Sequence, residues 1–185
     1  MKHTFKVGGG RWLVVAGLWL LVSITSAGSA LAAGLTDDEI YWLTYMREEE
    51  KLARDVYLFL YDTWGFPIFS KISASEQTHM AAIKALLDRF GIPDPAAGKA
   101  AGEFSNPELQ ALYDDLTAQG KRSPVEALKV GVFIEETDID DLTAAIASTN
   151  RKAIKTVYGN LLQGSLNHLE EFVSNLAKLG VVYEP

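Results

Sequence analysis

Ser75–Met80 reads SEQTHM and places Glu76 and His79 three positions apart inside a helical pattern. Residues at i and i+3 of a helix share a face. The apolar residues in phase with this pair are Phe69, Ile72, Ile83, Leu86 and Phe90, so the carboxylate and the imidazole turn toward the core together. A buried carboxylate beside a buried imidazole needs a compensating partner. A metal ion is the most economical one, because a single cation satisfies both groups.

Working outward, Pro67 suits the first turn of this helix and Gly91 its stop, so the helix is expected to run from Pro67 to Phe90. Before it, Thr36 and Glu39 make a capping box for a helix from about Asp37 to Tyr61, broken by Trp64-Gly65. Its inward stripe reads Leu43, Met46, Glu50, Ala53, Tyr57 and Leu60, with Glu50 at a core position of an apolar series. Glu49 can also turn inward, with Trp42, Met46 and Val56, whereas Glu48 is expected on a solvated charged face. Glu50 lies 14 residues before Trp64 and Glu76 lies 12 after it, so in an antiparallel pair the two carboxylates share a depth.

From Gly91 to Ser123 the pattern lapses into a Pro-, Gly- and Ala-rich crossover, with one short helix over Pro107–Gln119 capped by Asn106. Pro124 then opens a helix to about Ser148, with Leu128, Gly131, Glu135, Asp138, Leu142 and Ala145 inward and room at Gly131. Glu136 is the alternative to Glu135, on a more polar register with Lys129 and Thr143, and Asp140 and Asp141 read as exposed. After Thr149-Asn150 the last helix runs to about Leu179, with Ile154, Tyr158, Leu161, Ser165, His168, Phe172 and Leu176 inward. Glu135 is 14 residues before Thr149, and Ser165 and His168 are 16 and 19 after it, so these levels also agree within about a turn. Glu170 and Glu171 are expected to face water. The expected fold is all-α, with two antiparallel hairpins joined by a long crossover.

The beginning of the chain has another character. Lys2, Lys6 and Arg11 precede an apolar run, Trp12–Val22, and then SALAAG. This is the layout of a secretory signal peptide over residues 1–32, cleaved after Ala32. The run is short for a membrane span, and an uncleaved anchor is the alternative. The domain is then residues 33–185, exported to a periplasmic or extracellular space, with no stable membrane insertion after cleavage. No cysteine is present, which excludes lipidation at cysteine, disulfides and thiolate ligands. The leader takes three of 17 Lys and Arg and none of 24 Asp and Glu, so 14 basic residues face 24 acidic ones, a formal charge of −10. Such a surface argues against nucleic acid and anionic membranes as partners and is compatible with cations. Of three histidines, His3 leaves with the leader, and the remaining two, His79 and His168, both fall on inward faces.

The order of these residues resembles the ferritin-like, rubrerythrin-type di-iron fold, in which Glu, Glu-x-x-His, Glu and Glu-x-x-His come from four successive helices. EEKLARDVY (49–57) is similar to the first-helix motif of that group. More closely, LTYMREEEKLARDVYLFLYDTWG (43–65), IFSKISASEQTHM (68–80), EETDIDDL (135–142) and SLNHLEEF (165–172) resemble domain-of-unknown-function family 2202, across Leu35–Leu179. That family is grouped with ferritin-like proteins of archaea and bacteria. The resemblance implies a ferritin-like four-helix bundle with a short extra helix in the crossover. It implies iron, with manganese or zinc as alternatives, held by Glu50, Glu76, His79, Glu135 and His168, with Asp138, Glu49 and Glu136 as further candidates. Tyr57 and Tyr158 would support the ligands. The chemistry implied is redox or ferroxidase-type, with oxygen or peroxide as the small oxidant, and a homo-oligomer is compatible with it. A non-catalytic metal-binding or structural bundle is the alternative. The departure is Ser165, where the fourth helix of the di-iron pattern supplies a carboxylate. Either Asp138 provides the missing oxygen, or the site holds one metal, or it is lopsided and weak.

Overall fold

A computed structural model describes residues 34–183, and the expected leader lies outside the described residues. The described residues form five helices and no strand: α1 Asp37–Trp64, α2 Pro67–Phe90, α3 Pro107–Gly120, α4 Pro124–Ser148 and α5 Lys152–Lys178. None is long and apolar enough to cross a membrane. Local chemistry sets the starts. Thr36 Oγ1 accepts from the Glu39 N–H (3.1 Å) while the Thr36 N–H donates to Glu39 Oε2 (3.0 Å), closing the capping box of α1. Asn106 caps α3 through its carbonyl oxygen, Ser123 caps α4 through its hydroxyl, and prolines open α2, α3 and α4. α1 runs three residues beyond the expected Tyr61, because Gly65, not Tyr61, is the first residue that breaks it.

α1 packs along α2, and α4 along α5; α1 also meets α3 and α4, and α2 meets α5. The turn between α4 and α5 is fixed to the start of α1. Thr149 Oγ1 donates to Glu39 Oε1 (2.5 Å) and Arg151 Nε to Glu39 Oε2 (3.0 Å).

The apolar core is in two parts. One contains Tyr57, Leu60, Phe69, Ile72, Leu128, Phe172 and Leu176; the other Leu43, Met46, Ile83, Leu87, Leu142, Tyr158 and Leu161. On each of α1, α2, α4 and α5 the residues of the two clusters lie on either side of one polar turn. Those four turns carry the Glu, Asp and His residues singled out above. The two cores exclude water from that layer, and at about 1.5–3 kcal/mol per fully buried large apolar side chain they offset the cost of burying it.

The crossover corrects one expectation. Glu48 is buried, not solvated. Residues 91–106 wrap the outer face of α1, and Glu48 accepts from the N–H groups of Ser105 (2.5 Å) and Asn106 (3.0 Å). Arg47 forks onto both oxygens of Asp94 (3.0 Å each) and donates to the Met80 carbonyl. Lys51 donates to Asp55 (2.6 Å) and the Ala100 carbonyl (2.8 Å) beneath the Phe104 ring.

Candidate metal centre

Glu76 lies at the middle of the polar layer. Its Oε2 is 2.7 Å from His79 Nδ1 and its Oε1 is 2.9 Å from His168 Nδ1. Glu50 from α1 joins the first group, with Oε2 3.1 Å from His79 Nδ1. Glu135 from α4 joins the second, with Oε2 3.4 Å from His168 Nδ1. Two triads result, Glu50–Glu76–His79 and Glu76–Glu135–His168, each offering three ligand atoms within 4.8 Å of one another. Ligand atoms about 2.0–2.2 Å from one ion lie up to about 4.4 Å apart, so each triad fits a cation with little adjustment. Glu76 belongs to both.

Outer contacts orient these groups. His168 Nε2 meets Ser75 Oγ at 3.0 Å, which leaves Nδ1 facing the carboxylates. Tyr57 donates to Glu135 Oε1 at 2.6 Å. The two imidazoles are 5.7 Å apart between centroids, with their planes inclined by 29°. Gly164 makes room for His79: a Cβ there would lie 2.6 Å from Nε2.

The hydrogen bonding within the layer is incomplete. Glu50 Oε1, Glu76 Oε1, His168 Nδ1, Asp138 Oδ1 and Glu49 Oε2 are all buried without a hydrogen-bond partner among the described residues. His168 Nδ1 and Glu76 Oε1 are close but off the line a hydrogen bond requires, so both are free to face a third atom. Buried polar atoms are rarely left this way, and a cation between the carboxylates would use these lone pairs. Without one, protons must serve. Burial pushes Glu135 up to about 8, with Glu76 and Asp138 adding to the rise and His168 opposing it. Burial also raises Asp138 to about 7 against the bond from Ser165, and lifts Glu49 and Glu50 well above the carboxylate range. Burial works against the charge on His168, but Glu135 and Glu76 outweigh it and bring it up to about 9. Glu76 is the exception. Burial favours its neutral form, yet His168 and His79 hold it down at about 2.

The remaining candidates divide. Asp138 is buried in the layer but belongs to neither triad; Ser165 donates a short hydrogen bond to its Oδ2. Glu49 is buried as well and also outside the triads. Glu136 turns away and accepts from the Tyr183 hydroxyl at the edge of a surface pocket. Tyr158 packs in the apolar cluster, its hydroxyl without a partner and near Glu39 rather than the triads. Ser75 and Gly164 escaped the sequence reading. A small residue beside Ser165 was the only signal for Gly164, and nothing marked Ser75.

Comparison with known proteins decides the family. The model of the uncharacterized protein domain DUF2202 matches residues 39–185. The chain belongs to the DUF2202 family. An uncharacterized protein of Methanocaldococcus jannaschii, MJ0754, is 50% identical over 151 residues, 82% of this chain and 82% of that protein. The crystal structure titled as hypothetical protein MJ0754 from Methanococcus jannaschii superposes with a TM-score of 0.80 over 82% of this chain and 86% of that one. For this DUF2202 chain, the helical arrangement therefore has a close counterpart in a solved structure.

Proposed function

We propose that this DUF2202 protein is a ferritin-like metal protein whose four long helices form a bundle of two antiparallel hairpins around a dinuclear, carboxylate-bridged centre. The observation that carries the reading is Glu76, with one oxygen facing each histidine in each of two triads. A carboxylate so placed would hold one cation on each of its oxygens. Mixed carboxylate and imidazole ligands suit iron first, then manganese or zinc. When bound, redox-active ions would supply electrons to oxygen or peroxide, and Fe(II) oxidation is the reaction that fits. The chain's own part is positional. Tyr57 holds Glu135, Ser75 turns His168, Gly164 seats His79, and the two apolar clusters keep water out. The signal-like residues 1–32 support a periplasmic or secreted location.

A second reading, metal binding without turnover, is favoured by Ser165, which stands where a bridging carboxylate would come from α5 and instead binds Asp138. Anaerobic titration of metal-free protein with Fe(II), then exposure to oxygen or peroxide, separates the two. Two ions per chain and oxidation faster than in buffer are expected. Two ions with no acceleration would leave the non-catalytic reading, and no bound iron, manganese or zinc would overturn both.

A further inference from the structure

A charged solute reaches the polar layer only through its side walls, because the two apolar clusters close the layer along the helices and do not solvate charge. Four helix pairs make those walls: α1 with α2, α2 with α5, α5 with α4, and α4 with α1. α3 lies on α1 and α4, and the side-chain hydrogen bonds that tie residues 91–106 to a long helix go to α1. No helix among the described residues lies over the seam between α2 and α5. Three contacts set the register of that seam. Lys71 Nζ donates to Glu171 Oε1 at 2.5 Å on the surface. One turn along, Ser75 Oγ meets His168 Nε2 at 3.0 Å, and one turn further His79 Nε2 faces Gly164. Each imidazole is thus opposed across the seam by a small, half-buried residue of the other helix.

We infer that the α2/α5 seam, at Ser75, Gly164 and the two histidines, is the port through which divalent cations, and then oxygen or peroxide, enter the polar layer. This deepens the dinuclear reading and rests on it. Exposure within the triads follows the seam: the side chains of His79 and His168 are 10% and 9% exposed, those of Glu50, Glu76 and Glu135 only 1%, 3% and 2%. The outer nitrogens differ as well. His168 Nε2 is held by Ser75, whereas His79 Nε2 has no hydrogen-bond partner among the described residues and is not one of the atoms sealed from solvent. Gly164 has no side chain to close the wall, and the His79 ring fills the space that a Cβ there would take. One imidazole therefore separates the surface from Glu50 and Glu76, which lie 3.1 and 2.7 Å from its Nδ1. An arriving aqua ion meets nitrogen donors at this wall instead of aliphatic carbon. The narrowness of the seam admits single ions and small oxidants and excludes larger organic substrates.

Because the chain has no cysteine, Ser75→Cys places a single thiol in the seam. The metal-free variant is treated with methyl methanethiosulfonate, which caps the thiol with a methylthio group that a reductant removes. Stopped-flow absorbance then follows Co(II) uptake before capping, after capping and after reduction. The thiol should react in the folded protein. Capping should slow uptake about tenfold or more, as a barrier higher by about 1.4 kcal/mol would, with the final number of bound ions unchanged and the rate restored by reduction. The same cap on Thr137→Cys, a half-buried position of α4, should leave the rate as it was. An unreactive thiol at position 75, an unchanged rate after capping, or equal slowing in Thr137→Cys would overturn the port and leave the dinuclear centre intact. Wild-type crystals loaded with Co(II) and soaked in azide supply a check that needs no variant. Azide should lie beside His79 and His168 on the α2/α5 side, and azide beside Tyr57 and Glu135 instead would overturn the port. No bound Co(II) in any of these proteins would overturn the dinuclear centre, and the port with it.

Discussion

Helix α1 buries charge on two faces, and the two faces are settled in opposite ways. On the outer face, Arg47, Glu48, Lys51 and Asp55 meet the crossover. Opposite charges pair there, and spare donors and acceptors go to backbone groups of Met80, Ala100, Gly102, Ser105 and Asn106. None of these four side chains keeps an unpartnered buried atom. On the inner face, Glu49 and Glu50 meet three more acids and two histidines, and five buried atoms remain without partners. One helix thus carries a finished ionic network and an unfinished one. The first is structural. The second has the form of a ligand set, because its five acids outnumber its two histidines and several of their oxygens lack a partner.

The largest effect is expected on the outer face. Asp55 takes Lys51, Arg54 and the Gly102 N–H, so Asp55→Ala leaves Lys51 buried and uncompensated. The expected cost is about 3–5 kcal/mol, read by urea unfolding of metal-free protein, with the number of bound ions unchanged wherever the variant remains folded. An Asp55→Ala protein as stable as wild type would show that the outer network is not needed.

The inner face should behave in reverse. Metal at about 100 times its Kd should stabilise wild type by about 2.7 kcal/mol. His79→Ala and His168→Ala should each remove most of that gain, while changing the metal-free protein by less than the outer-face variant does. Thermal unfolding with and without metal measures both. If both variants kept the full gain, the histidines would not be ligands.

Next in size is a pH effect. Glu135, at about 8, and Asp138, at about 7, have folded-state values above their ordinary ones. A group raised on folding contributes stability at low pH that is lost as pH rises through its folded value. His168, raised to about 9, acts in the same direction, while Glu76, held down at about 2, contributes above the ordinary carboxylate range and loses that contribution only in acid. Metal-free protein should therefore lose stability from about pH 5 to pH 9, and metal should restore it. Metal uptake near pH 7 should release protons, seen as a buffer-dependent heat in calorimetry. Uptake without proton release would contradict the assignment of protonated acids to this layer.

Much of this was legible in the sequence because two histidines and a few acids lay in phase with apolar residues. Glu76 and His79, and Glu135 and His168, needed only helical spacing and a depth count from the turns at Gly65 and Thr149. The all-helical fold and the helix limits followed from capping residues, to within three residues at the end of α1. The outer face was not legible. Glu48 reads as solvated because nothing periodic in residues 91–106 announces that this segment covers α1. Ser75 and Gly164 act through contacts between helices, which spacing within one helix does not encode. Glu136 and Tyr158 had acceptable spacing, but the structure turns the first to Tyr183 and surrounds the second with apolar side chains.

The smallest expected effect lies at Ser165, where the two kinds of network meet. Its hydroxyl binds Asp138 and the Leu161 carbonyl. Ser165→Ala should cost about 1 kcal/mol, with both triads still able to bind metal. Loss of both ions in that variant would make Ser165 part of the ligand set itself.

The bridging role of Glu76 is tested most directly by anomalous diffraction from crystals of the metal-loaded protein. Two peaks are expected, each about 2.0–2.2 Å from a different oxygen of Glu76, one with Glu50 and His79 and the other with Glu135 and His168. Saturated crystals with no peak in this layer, or with metal that does not touch Glu76, would contradict it.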